Sequence, residues 1–139
     1  MEALPRLRRP ADMDHLAPLM EFVGGHAQAA GLDAQGCYRV DLAAEEVLTN
    51  IIKYAYGPAG GEVEVACGRV GADFVMEFRD QGQPFDPLEA DEPTLSDSME
   101  DRPVGGLGIH LVRQVMDRAT YQRLGDTNLL RLEKEITAD

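Results

Sequence analysis

The sequence predicts an α+β fold of two layers, a mixed and mostly antiparallel sheet covered on one face by three helices. Three observations carry this prediction. Alternating apolar and polar residues open the chain, recur in its middle and close it. Between these stretches lie segments whose apolar residues repeat at spacings of three and four. The middle and final alternating stretches each come as a pair around a glycine turn, which makes them hairpins.

Leu4 to Arg9 alternates but is interrupted by Pro5 and closed by Pro10, as expected of a short edge strand. Asp12 reads as a helix cap, and Met13, Leu16, Met20, Val23, Ala27 and Ala30 form one apolar stripe that stops at Gly31. Asp33 caps a second helix, which runs to about Tyr56 before Gly57-Pro58-Ala59-Gly60-Gly61 ends it. At about 100° per residue, Val40, Ala44, Val47 and Ile51 of that helix share a narrow sector that faces the core.

Val63, Val65 and Cys67 alternate with polar or small residues, and after a turn at Gly71-Ala72-Asp73 a second alternation aligns Phe74, Met76 and Phe78. Asp80 has the parity of those three and so emerges on the core side at the strand end. From Gln81 to Val104, prolines and acids without periodicity read as a long lid-like loop. Gly105-Gly106-Leu107-Gly108 then opens an apolar helix to about Arg118, and strands at 119–124 and 128–135 close the chain around Gly125-Asp126. With no repeat or linker, residues 1–139 are expected to form one domain.

Composition removes several classes of function. The chain of 139 residues has 13 basic and 25 acidic side chains, a net charge of −12 that repels a phosphate backbone, so no direct nucleic-acid binding is expected. No apolar run is long enough for a membrane helix and the N-terminus lacks a signal-peptide core, which points to a cytoplasmic protein. Cys37 and Cys67 form no CxxC pair and read as free thiols, and the scattered His15, His26 and His110 offer no zinc spacing.

Three polar features stand out in order. Glu46 and Asn50 lie one turn apart at the edge of the buried sector, with Lys53 within about 60° of both, whereas Glu45 points about 100° away from Glu46. Asp80-Gln81-Gly82-Gln83-Pro84-Phe85-Asp86 follows a strand directly. Gly105-Gly106-Leu107-Gly108 presents unpaired N–H groups and a positive helix end suited to phosphate. Taken singly each is weak, since polar pairs one turn apart and glycine turns are common.

Together they resemble the N, G1 and G2 boxes of the GHKL superfamily, the Bergerat-type ATP-binding fold. The closest resemblance is to the anti-sigma factor serine protein kinases, through Glu45-Glu46-Val47-Leu48-Thr49-Asn50, Pro84-Phe85-Asp86-Pro87 and Gly105-Gly106-Leu107-Gly108-Ile109-His110. The resemblance implies ATP with Mg²⁺, Asn50 as the metal ligand and Glu46 as the general base toward a serine or threonine. It implies that Asp80 accepts a hydrogen bond from the adenine amine, that Gly82 lets the base come close, and that Gly105, Gly106, Leu107, Gly108 and Ile109 wrap the phosphates. Lys53 either approaches a phosphate or is a solvated lysine.

The resemblance further implies a STAS-type anti-anti-sigma protein as substrate, a sigma factor or other regulator as second partner, and a homodimer. Two alternatives stay open, a module that binds nucleotide and partner with little kinase activity, and a kinase whose target lies outside sigma-factor control. Two residues depart from common patterns. Tyr54 stands where related kinases often have histidine, and Pro84 stands where the wider superfamily usually has a second glycine.

Overall fold

The computed structural model describes residues 4–84 and 106–136, with side chains in the last helix described from Leu111 onward. The order of elements is β1 (Arg6–Pro10), α1 (Leu16–Ala30), α2 (Ala34–Asn50), β2 (Glu62–Val70), β3 (Asp73–Asp80), α3 (Gly106–Val115), β4 (Arg118–Leu124) and β5 (Thr127–Glu135). The strands form one sheet in the order β1-β2-β3-β5-β4. All four pairings are antiparallel. This is the α+β sandwich the element order predicts.

Asp12 caps a short 3-10 turn, accepting from the Asp14 N–H at 2.8 Å, and this turn leads into α1. Leu19, Val23 and Ala27, four residues apart, are fully buried. Met13 departs from the expected stripe: it lies in the 3-10 turn, out of phase with α1, and is 53% exposed. Gly31 ends α1 with φ 103°, a left-handed conformation that glycine adopts without Cβ strain. The Arg69 guanidinium reaches the Ala30 carbonyl at 3.1 Å, a cation at the negative helix end.

The carboxylate of Asp33 caps α2 by accepting from the Gly36 N–H at 2.7 Å. Val40, Ala44 and Val47 are buried as expected, joined by Ala43 and Leu48, and Ile51 packs half-buried against them. The expected single helix to Tyr56 differs in its last turn. After Asn50 the chain continues as a π turn over Ile51–Ala55.

Helix-side residues of the strands, Val63, Val65, Cys67, Phe74, Met76, Phe78, Leu130 and Leu132, meet the apolar faces of α1, α2 and α3 in one core. Burial pushes the Cys67 thiol up to about 12, so it behaves as a small apolar side chain. The opposite face carries a chain of ion pairs across all five strands, from Arg6 and Arg8 to Glu64, from Arg79 and Arg131 to Glu77, and from Arg118 to Glu133 and Asp73. Side chains that pair with one another keep this uncovered face polar.

Candidate nucleotide site

Glu46 and Asn50 lie on α2 beside its buried stripe, both half-buried, and Glu45 is exposed. The Asn50 Nδ2 donates to the Glu46 carbonyl at 2.8 Å. That bond holds the carboxamide along the helix and commits its nitrogen, leaving Oδ1 as the atom available to a hard cation. Glu46 has its pKa raised, chiefly by burial and then by the neighbouring Glu45, with the Lys53 ammonium acting in the opposite direction. Lys53 is exposed in the π turn yet remains within electrostatic reach of Glu46.

The second group of residues lies where β3 ends. Asp80 is 5% exposed, and on the helix-side face it stands across from Val63 on β2 and Asn128 on β5. A buried carboxylate needs donors, and Oδ1 has two, the Gly82 N–H at 2.9 Å and the Asn128 Nδ2 at 3.0 Å. Asn128, itself 7% exposed, also donates to the Gln83 carbonyl at 2.9 Å and accepts from the Tyr121 hydroxyl. The Arg123 guanidinium donates to the Gly82 carbonyl at 2.8 Å.

The other side of this loop is fastened to the end of α2. A Cβ placed on Gly82 would stand 2.2 Å from the Ala55 carbonyl oxygen, so the two backbones approach in a way only glycine permits. The Gln83 N–H donates to the same oxygen at 3.1 Å, and Gln83 Nε2 donates to the Tyr54 carbonyl at 3.2 Å. The Tyr56 hydroxyl accepts from the Gln81 N–H at 2.7 Å and donates to the Glu62 carbonyl at 2.5 Å. Its ring lies where a Cβ of Gly61 would be, which explains that glycine.

The third group opens α3, which packs against α2. The helix begins at Gly106 rather than after Gly108, so Gly106, Leu107, Gly108 and Ile109 form its first turn. Their backbone N–H groups have no carbonyl one turn earlier in the helix to meet. Gly105 lies outside the described residues, as do Phe85 and the greater part of the expected lid at 81–104.

The sequence thus singled out Glu46, Asn50, Lys53, Asp80 and Gly82, and the fold brings the loop after Asp80 against the π turn that carries Lys53 and follows the helix of Glu46 and Asn50. Sequence reasoning missed Asn128, Tyr121, Tyr56, Ala55 and Arg123. Asn128 had a usable signal, because it shares strand parity with Leu130 and Leu132. No group of three or more His, Cys, Asp or Glu side chains among the described residues is arranged for a metal.

The fold and site define a class already known: the model of the histidine kinase-like ATPase domain matches residues 9–134, and the chain belongs to that family. Its relatives include the serine/threonine-protein kinase BtrW of Bordetella bronchiseptica, 30% identical over 96 residues that cover 68% of each chain. The serine-protein kinase RsbW of Bacillus thuringiensis is 25% identical over 80% of this chain and 72% of its own. Among solved structures, that of the RsbU and RsbW domains of Rv1364c from Mycobacterium tuberculosis superposes with a TM-score of 0.63 at 14% identity, over 97% of this chain. This chain spans 33% of that larger one. The Acinetobacter baumannii histidine kinase AdeS shares the fold with a TM-score of 0.53 at 12% identity, with 97% of this chain and 70% of that chain covered.

Proposed function

We propose that this chain is an ATP-dependent serine/threonine protein kinase of the anti-sigma type, which phosphorylates a STAS-type anti-anti-sigma protein and also binds and restrains a sigma factor or another regulator, the two partners competing for one surface of the kinase. The observation that carries the reading is the placement of Glu46 and Asn50 one turn apart on α2, with the Asn50 amide nitrogen tied to the Glu46 carbonyl and α3 packed alongside. In this reading Glu46 takes the proton of the partner's hydroxyl as that oxygen attacks the γ-phosphorus, the bond to the bridging β–γ oxygen breaks, and ADP leaves. A raised pKa suits a base that must accept this proton. Asn50 Oδ1 would hold Mg²⁺, which would supply charge neutralisation on the phosphates.

Asp80 takes the exocyclic amine of adenine, the first turn of α3 at Gly106–Ile109 cradles the phosphates with Gly105 leading into it, and Lys53 approaches them from the α2 side. The names of the kinase relatives support the reaction class. The protein acts in the cytoplasm and as a homodimer. No helix among the described residues is long and apolar enough to cross a membrane.

The test is to mix the purified chain with γ-labelled ATP, Mg²⁺ and a STAS protein encoded nearby. Label appearing on a serine or threonine of that protein supports the reading. ATP and partner binding without transfer would replace it with a regulatory binding module, a second reading that Tyr54, in place of the more usual histidine, favours.

A further inference from the structure

Asn128 and Asp80 are the buried polar residues of the described chain, and they face each other across β3 and β5. What fixes the carboxamide is Tyr121, which projects from β4 on the same face and donates its hydroxyl to Asn128 Oδ1. With oxygen toward the phenol, both N–H groups turn the other way, one to Asp80 Oδ1 at 3.0 Å and one to the Gln83 carbonyl at 2.9 Å. A flipped amide would set its oxygen against a carboxylate and a carbonyl, so only one orientation satisfies the network. The Gly82 N–H closes on Asp80 Oδ1 from a second direction at 2.9 Å. Two donors on Oδ1 stop the carboxylate from rotating and leave Oδ2 as the oxygen for a ligand.

We propose that Tyr121 and Asn128 form a positioning pair that sets nucleobase preference, holding Asp80 so that Oδ2 meets the 6-amino group of a purine. The inference rests on the reading of Asp80 as the base acceptor. It adds that the acceptor is aimed by a relay from the far edge of the sheet. A purine with a carbonyl at C6 would put oxygen against Oδ2, and an immobilised carboxylate cannot turn away from it.

The test compares ATP with inosine triphosphate, which differs in its C6 carbonyl and the proton that accompanies it on N1, by calorimetry on the whole chain. The unaltered protein should favour ATP by about tenfold or more, as expected for a charge-assisted contact. Tyr121→Phe should cut ATP affinity by about fivefold, the worth of one neutral hydrogen bond, while inosine triphosphate binds as before. Asn128→Asp keeps the shape but removes both donors and should abolish the preference. A merely structural pair would weaken both nucleotides by the same factor, and that result overturns the proposal. An unchanged ratio in Asp80→Asn means that Asp80 does not read the base, which removes the underlying reading as well. A reduced ratio in Asp80→Asn beside an unchanged one in Tyr121→Phe removes the positioning pair alone. If Asn128→Asp does not fold, Tyr121→Phe carries the test.

Discussion

At the sheet end of the candidate site, Asp80 and Asn128 are buried and tied by hydrogen bonds to β3, β4, β5 and the loop after β3. At the helix end, Glu46 and Asn50 are half-buried and Lys53 is exposed. One end is fixed by the protein's own hydrogen bonds, and the other is partly open to solvent. A base is flat and uniform, so a prebuilt pocket loses little in adapting to it, whereas phosphoryl transfer needs room for two substrates and a metal. Substitutions at the sheet end should therefore act on binding and stability together, and those at the helix end mainly on transfer and its metal dependence, with little effect on stability.

The largest expected effect is at the helix end. Glu46→Gln should slow phosphoryl transfer by roughly 100- to 10,000-fold, the range for losing a general base, with ATP affinity nearly unchanged. Rapid-quench transfer assays beside calorimetry would show this split, and a loss of ATP binding equal to the loss of transfer would break the contrast. Asn50→Ala should weaken ATP only when magnesium is present. Gly82→Ala comes next, since its Cβ would stand 2.2 Å from the backbone oxygen of Ala55 and one of the two backbones would have to shift. About 2–3 kcal/mol of stability should go, measured by denaturant unfolding, and nucleotide affinity with it.

Asp80→Asn should weaken ATP by about 1.5–3 kcal/mol, and unchanged affinity would refute the adenine assignment. Tyr56→Phe removes the hydroxyl between Gln81 and Glu62 and should cost about 1 kcal/mol of stability, with faster amide exchange at Gln81 and Gly82. The smallest effect is a displaced pH profile. Transfer requires the Glu46 carboxylate, so its rate should rise with pH through a midpoint above the ordinary 4.5 of a glutamate. Lys53→Met removes an influence that lowers this pKa and should move the midpoint up. Glu45→Gln removes one that raises it and should move the midpoint down, with the plateau rate unchanged.

The same contrast governs what the sequence disclosed. Glu46 and Asn50 lie four residues apart on one helix, so local periodicity alone put them together. Asp80 was legible because strand parity joined it to Phe74, Met76 and Phe78, and it is buried with them. Strand parity on β5 marks Asn128 in the same way as a core-side amide beside Leu130 and Leu132. Tyr56 was beyond reach, since Gln81 and Glu62 meet its hydroxyl only through tertiary structure. Gly82 was expected to give a base room, and the structure adds a demand internal to the protein, the backbone of Ala55. The π turn left no trace because five residues cannot distinguish it from an α-helical turn.

That π turn acts as a length gauge. It takes one more residue per hydrogen-bonded ring than an α turn, and at its end stand the carbonyl of Ala55 and the phenol of Tyr56, both of which engage the loop after β3. Deleting any one residue from Ile51–Ala55 would let the helix close as an ordinary α turn and would swing the next stretch of chain by about 100° about the axis. Ala55 would then face away from Gly82, and the helix carrying Glu46 would be out of step with the pocket of Asp80. Between positions 50 and 56 the number of residues therefore sets the register of the two halves of the site, so this stretch should accept no deletion.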